Sequence, residues 1–415
     1  MENFLKSHTL SGSFGFISNL ITIEKYGSEH LEKMQEVIQL DVFSDNYSRT
    51  YDHFEVELYS LIYHEITHFL DFTTTAWGLE YIFRKTNYSL NMNASTLDIF
   101  KLNFSELKIH SDFLDIRNNS VDLLRCNMRH HLHYDENFGG LILMEFLDEN
   151  EIQLKSSVNM LSLIEAHAYV SEILVKLKCI ESEPDSDIKA ILLLEITREV
   201  DDFLNNPEFI EYNMLIVLAK KHFRDLSLKE LFIFLKYLFI NVLDMGIGEL
   251  SSFANRLDES FIDTQIGHTI SMDLRRGMSR HIVAFKLILF AYGFIFNTGN
   301  EKELLSELKS NPLILLYRIY ETLNLNVLMN FQHLNQYFLN LGFLDEIENS
   351  FDTSFILESS KFNRTEIDSI YKMKSIRDYK LLDIFLNDMS ILTVPNRISL
   401  DIENYSDLTK ISDIM

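Results

Sequence analysis

The stretch from Asp52 to Asp71 has the sequence DHFEVELYSLIYHEITHFLD and decides how the amino-terminal part of this chain folds. It contains neither Gly nor Pro. Its apolar residues recur every three or four positions: Leu58, Leu61, Ile62, Ile66, Phe69 and Leu70. This spacing predicts a single, largely buried helix.

Two histidines of this helix, His64 and His68, are four residues apart and so lie one turn apart on the same face. Two imidazoles at this spacing can bind one zinc ion, and Glu65 stands beside them as a base for a water molecule. A buried helix with these three polar side chains needs partners for them, which a metal supplies. The alternative is that they are ordinary core or surface residues with hydrogen-bonding partners.

The pentapeptide HEITH at 64–68 resembles the HExxH motif on the active-site helix of zincin metallopeptidases. The resemblance implies a zinc-dependent hydrolase in which His64 and His68 hold Zn²⁺. A zinc-bound water would attack a peptide bond with Glu65 as general base. The metzincin subtype requires Gly and His where this chain has Asp71 and Thr74, so that subtype is excluded. The gluzincin subtype takes its third ligand, a Glu, from a later helix.

A second helix is predicted over residues 159–174, and it contains Glu165. The small residues Ala166 and Ala168 follow Glu165 closely and permit tight helix packing. Gluzincins resemble this arrangement, with a ligand Glu beside small residues. The resemblance therefore implies that Glu165 is the third metal ligand.

Other side chains compete with Glu165 or support it. Asp71 and His167 are alternative third ligands, although His167 points to another face of its helix. Many gluzincins carry an acidic residue four positions after the ligand Glu, where this chain has Tyr169. Glu172, one turn further along, and Asp71 are therefore candidates to accept a hydrogen bond from a ligand histidine.

Residues 129–140, RHHLHYDENFGG, form a polar cluster between the two helices, and the sequence leaves its geometry open. Gly139 and Gly140 favour a turn, so an ordinary polar loop is one interpretation. The other is that a side chain here stabilises the oxyanion of a tetrahedral intermediate. The candidates for that role are His130, His131, His133 and Tyr134, together with Tyr169.

The fold class is predicted to be mainly α (α+β), because Gly and Pro are scarce and apolar residues recur at helical spacing. The few strands are expected over 14–23, 36–43 and 152–155. The zincin resemblance implies a small sheet beside the active-site helix, whose edge strand holds extended substrate by main-chain pairing.

The acidic, Pro-containing stretch 181–187 is the best candidate for a domain boundary. The sequence thus predicts a zincin-like metallopeptidase domain over 1–180, an all-α helical domain over 188–380 and a polar tail over 381–415. The helical half has no recognisable motif and is a possible surface for a protein partner. This gives a rival hypothesis, a catalytically silent zincin scaffold that regulates or binds a partner.

The net charge of −25, from 62 acidic and 37 basic residues, argues against nucleic-acid binding through phosphates. The expected partner is instead a protein or peptide substrate. Only two cysteines are present, Cys126 and Cys179, and neither a disulfide framework nor a cysteine metal site is predicted. The amino terminus lacks the pattern of a signal peptide, so the expected location is cytoplasmic.

Two apolar runs, 231–240 and 282–296, raise the question of membrane insertion. Lys236 and Lys286 interrupt them, and the longer run is shorter than the ~20 residues that a spanning helix needs. Both are predicted to be buried core helices, with no transmembrane segment.

Overall fold

The structure is a computed structural model that describes residues 12–15, 20–82, 109–118, 121–136, 138–260, 264–325, 354–364 and 370–398. The helices are α1 (Leu31–Val37), α2 (His53–Thr74), α3 (Met160–Glu181), α4 (Ser186–Asn205), α5 (Ile210–His222), α6 (Leu228–Leu243), α7 (Ile247–Ser260), α8 (Gln265–Arg275), α9 (Arg280–Asn297), α10 (Glu301–Ser310), α11 (Pro312–Thr322) and α12 (Ser354–Asn363). Helices dominate the described residues, which confirms the mainly α prediction.

The strands form two small sheets. They are β1 (Ser13–Phe14), β2 (Ile21–Ile23), β3 (Asp115–Ile116), β4 (Asn127–Asp135), β5 (Gly139–Asp148), β6 (Glu151–Val158), β7 (Ile384–Leu386) and β8 (Ile391–Leu392). One sheet has the order β1-β2-β7-β8, with β2 and β7 parallel and the other pairs antiparallel. The other sheet has the order β3-β6-β5-β4 and is antiparallel throughout.

Contacts within the chain divide it into two compact units. The first comprises residues 1–100, 171–194 and 331–415, and the second comprises 101–170 and 195–330. This division differs from the predicted one, because each unit combines segments that are distant in sequence. Helix α3 is continuous, although its first turns are counted with the second unit and its last turns with the first.

In the first unit, α2 packs on β1, β2, α1 and α12. The ring of Phe14 on β1 contacts the rings of Phe69 and Phe72 on α2, at centroid distances of 6.2 and 5.8 Å. Burial of these aromatic side chains fixes the short sheet against the helix that carries the HEITH pentapeptide.

In the second unit, α8 packs against β5 and β4, while α5 and α9 pack against β6. The approach of α8 depends on Gly140 in β5, where a Cβ atom would lie only 2.6 Å from the side chain of Ile270. A glycine pair that suggests a turn in the sequence thus begins a strand and admits a helix.

Two of the three predicted strand segments contain strand residues, and the third does not. The segment 14–23 contains the end of β1 and all of β2, and 152–155 lies within β6. The prediction for 36–43 is wrong, because this segment begins with the end of α1 and continues in turns. Met34 and Val37 of α1 and the following Ile38 are buried at helical spacing. These apolar side chains therefore reach the core without forming a strand.

The polar cluster 129–140 is largely strand rather than loop. Its residues Arg129 to Asp135 lie in β4, which pairs residue by residue with the apolar strand β5. Pairing with the buried strand β5 determines the conformation of this polar segment. The sequence of the segment alone does not reveal that pairing.

The segment predicted as a polar tail contributes β7 and β8 to the first unit, as far as residue 398. Ile384 and Leu386 are fully buried, and β7 pairs in parallel with β2. Just before it, Tyr379 and Tyr63 of α2 join their hydroxyl groups at 3.0 Å. The segment from Tyr379 to Leu386 therefore supports the HEITH helix.

Among the described residues, at most one continuous helix, α9, is long and apolar enough to cross a membrane. Its most apolar window is 56% buried within the protein. The helices α6 and α7 meet the same criterion only when they are joined across a bend of 99°.

Candidate metal centre

Helix α2 presents the HEITH residues from a well-defined start. The side chain of Asp52 accepts a hydrogen bond from the backbone N–H of Glu55 at 3.0 Å, which caps the helix. The helix then runs without interruption to Thr74. His64 and His68 lie on one face, with ring centroids 5.1 Å apart.

Helix α3 presents Glu165 from a similar start. The Asn159 side chain accepts a hydrogen bond from the backbone N–H of Ser162 at 3.0 Å. Ala166 and Ala168 are fully buried, as expected for a helix that packs closely on both sides of Glu165. The small side chains therefore allow close packing around the buried Glu165.

Three potential ligand atoms, one each from His64, His68 and Glu165, all lie within 4.8 Å of one another. The three side chains are buried, with exposed fractions of 2%, 0% and 1%. Two imidazoles and a carboxylate at such separations can all reach one central cation. The structure thus brings together the three residues that the sequence singled out.

Glu172 lies two turns after Glu165 on the same face of α3 and contacts His64. Its Oε2 is 3.1 Å from His64 Nδ1, and its Oε1 is 3.1 Å from the ammonium of Lys176. Burial raises the pKa of the Glu172 carboxyl, but Lys176 and His64 outweigh burial and bring the pKa down to about 2. Glu172 is therefore ionised and accepts the hydrogen bond, so His64 Nδ1 carries the proton.

This hydrogen bond determines which nitrogen of His64 is available to a metal. In the neutral tautomer that donates Nδ1–H to Glu172, Nε2 has the lone pair that a metal needs. A carboxylate behind a ligand imidazole is the usual support for a metal-bound histidine. The donor set of two imidazoles and one carboxylate suits zinc, so the residues present fit the ion that the sequence suggests.

Glu65 is fully buried on α2 between the two histidines in sequence, and its carboxylate lies against Gly12. A Cβ atom at Gly12 would lie 2.7 Å from Glu65 Oε1. The backbone just before β1 thus approaches the carboxylate more closely than any other residue type would allow.

The other candidates on the two helices are also buried. Asp71 is on α2 one turn after His68, and His167 and Tyr169 are on α3. Of these, Asp71 and His167 are not part of the three-residue group formed by the described side chains. The Tyr169 ring stacks on Phe203 with centroids 4.0 Å apart, which gives it a packing role.

The candidates from the polar cluster lie on β4. The His133 ring contacts Phe113 at a centroid distance of 5.4 Å, and Tyr134 pairs with Gly140 across the sheet. The His130 ring contacts Phe285, and His131 is exposed. These contacts belong to the second unit, and the role of these residues as oxyanion donors stays a prediction.

Two residues of the site escaped prediction. Lys176 follows Glu172 at the i, i+4 spacing of helical ion pairs, a signal that the sequence does contain. Gly12 is far from Glu65 in sequence, and nothing in its neighbours indicates the contact.

Comparisons of the chain with protein-family models, with curated proteins and with solved structures gave no match.

Proposed function

We propose that this protein is a zinc-dependent metallopeptidase of gluzincin type. The observation that carries the proposal is the buried group of His64, His68 and Glu165, with the Glu65 carboxylate on the same helix. A purely structural zinc site is closed by four protein ligands and has no use for an adjacent carboxylate. Three ligands and a neighbouring base are the set that hydrolysis requires.

In this proposal each residue has a distinct task. His64, His68 and Glu165 would hold the ion, and Glu172 would orient the His64 ring through the hydrogen bond to Nδ1. When bound, zinc would polarise the substrate carbonyl and lower the pKa of water. Glu65 would take the proton from the attacking water and deliver it to the leaving amine.

The decisive variant is Glu65→Gln, which keeps the size of the side chain but removes the base. Wild type and variant would be loaded with zinc and incubated with a mixed peptide library, and cleavage would be followed by mass spectrometry. We expect unchanged zinc content and a loss of cleavage of at least about a hundredfold. Glu57→Gln, at a half-exposed position of the same helix, is the matched control. Cleavage by Glu65→Gln at the wild-type rate would refute the role of Glu65.

The burial of the site favours a second candidate, a zincin-like scaffold that binds metal without turnover and acts through a partner. His64, Glu65, His68 and Glu165 are each at most 2% exposed. In that case zinc would fasten α2 to α3, and its removal would lower the stability of the fold. Zinc-dependent stability together with no cleavage of any peptide in the library would favour this candidate over the peptidase.

A further inference from the structure

The second unit contains a cavity of about 440 Å³ that is separate from the residues of the metal centre. Its wall is formed by α7, α8 and α9 and by the residues that follow α11. Most of the lining is apolar, and includes Phe253, Leu257, Leu274 and Val283. The volume lies in the range of pockets that bind small molecules, roughly 300 to 1,000 Å³.

Two cations, Arg256 and Lys286, interrupt this apolar lining. Arg256 is already engaged, because its Nε donates to the Leu323 carbonyl at 2.7 Å and its guanidinium pairs with Glu259. Arg256 thus helps to hold the chain after α11 against α7. Its charge is largely compensated within the protein.

Lys286 differs from Arg256 in having no anionic partner among the described residues. It is half-buried on α9, and its ammonium lies 5.9 Å from the ring centre of Phe285. Desolvation lowers the pKa of Lys286, and no carboxylate among the residues that the structure describes counteracts the shift. The positive charge of Lys286 lowers the pKa of His130, although burial of His130 is the larger cause of that shift.

Lys286 lines this apolar cavity, and no carboxylate in the described part of the chain pairs with it, although the chain has 62 acidic residues against 37 basic ones. A buried or half-buried lysine costs free energy unless an anion accompanies it. Because no carboxylate among the described residues accompanies Lys286, an anionic group bound in the cavity could pair with it.

We propose that this cavity binds a small amphipathic carboxylate, with its hydrocarbon part against the apolar wall and its carboxylate on Lys286. The apolar lining excludes a strongly hydrated anion, and the overall charge of −25 disfavours a polyanion. A single carboxylate on an alkyl chain satisfies both conditions. The proposal is independent of the metal centre and goes beyond the proposed peptidase activity.

The test uses the full-length protein and the fluorescent probe dansylaminoundecanoate, whose emission rises when it enters an apolar site. Bound probe would then be displaced with dodecanoate, dodecanol or dodecylamine. We expect dodecanoate to displace the probe, dodecanol to be at least about tenfold weaker, and dodecylamine to be weaker still. Equal displacement by dodecanoate and dodecanol would overturn the role assigned to Lys286, and absence of probe binding would overturn the site.

Two variants locate the site. Lys286→Gln should weaken dodecanoate binding by roughly tenfold or more and leave dodecanol unchanged. Lys302→Gln, at an exposed position on α10, is the matched control and should leave both affinities unchanged. Leu257→Trp, at a half-exposed position of the wall, should fill the cavity and abolish binding of either compound while the thermal unfolding midpoint is maintained. Wild-type affinity for dodecanoate in both Lys286→Gln and Leu257→Trp would contradict the proposal.

Discussion

His64 donates a hydrogen bond from Nδ1 to Oε2 of Glu172 over 3.1 Å, and this contact joins the helix of the HEITH pentapeptide to the helix that carries Glu165. The contact is directional because Lys176, 3.1 Å from the other carboxylate oxygen, keeps Glu172 ionised. It orients the imidazole before any metal arrives. Preorganisation of this kind strengthens metal binding, because the ring does not need to be ordered by the ion.

Glu172→Gln should therefore weaken metal binding. The amide retains an acceptor oxygen but loses the charge that holds Nδ1–H, and we expect zinc affinity to fall by about tenfold or more. Competition with a fluorescent zinc chelator measures this affinity. Glu181→Gln, at an exposed position of the same helix, should bind zinc as the wild type does. Equal affinity in Glu172→Gln and wild type would show that the contact has no part in metal binding.

Gly12→Ala should disturb Glu65 without unfolding the protein. The added methyl group would lie 2.7 Å from Glu65 Oε1, so the carboxylate must move. Because the clash is with the end of a side chain, we expect a change in unfolding free energy below about 1 kcal/mol. Zinc content should persist, while peptide cleavage falls by about tenfold or more. Full cleavage by the variant would mean that the position of Glu65 is not critical.

Ile384→Ala should destabilise the protein, because β7 is part of the first unit rather than a polar tail. Ile384 is 0% exposed, and its truncation should lower the free energy of unfolding by about 2 to 4 kcal/mol. Ile391 on the neighbouring strand is 42% exposed, and Ile391→Ala should cost less than about 1 kcal/mol. Urea unfolding of the two variants provides the comparison, and equal stability would contradict the buried position of β7.

Stability should fall in acid because of His281. This side chain is buried in α9, neither ring nitrogen has a hydrogen-bonding partner among the described residues, and desolvation lowers its pKa to about 3. Below a pH of about 6.5 the unfolded chain binds a proton at this residue, whereas the folded protein does not until about pH 3. The contribution of His281 to stability is therefore lost as the pH falls through this window.

The loss attributable to His281 should reach about 2 kcal/mol at about pH 5, relative to about pH 8. Urea unfolding at the two pH values measures it in wild type and in His281→Leu, which lacks the titrating ring. His268→Leu, at an exposed position in the same unit, should retain the wild-type dependence on pH. An unchanged dependence in His281→Leu would contradict a buried, neutral His281.

The helices of the site could be predicted from the sequence because their signals are local. Asp52 and Asn159 cap the helices, apolar residues recur at helical spacing, and the positions of His64 and His68 follow from the helical repeat. Glu165 required the resemblance to gluzincins in addition, since residues before and after it do not indicate what it contacts.

The features that escaped prediction depend on contacts between distant segments. Residues 36–43 have the β-branched and apolar composition of a strand, but their burial is met by a helix and turns. The parallel pairing of Ile21–Ile23 with Ile384–Leu386 joins opposite ends of the chain. The short strands contain too few residues to show a recognisable alternation of apolar and polar side chains. The contact of Gly12 with Glu65 has no local signal in the sequence.

The central claim is that His64, His68 and Glu165 together bind one zinc ion, and elemental analysis of purified protein tests it most directly. Wild type, Glu165→Ala and Asp71→Ala would be loaded with zinc, desalted and analysed, with circular dichroism to verify folding. We predict about one zinc per chain in wild type and in Asp71→Ala, and its loss only in Glu165→Ala. Absence of zinc from folded wild type after loading, or full retention in Glu165→Ala, would contradict the claim.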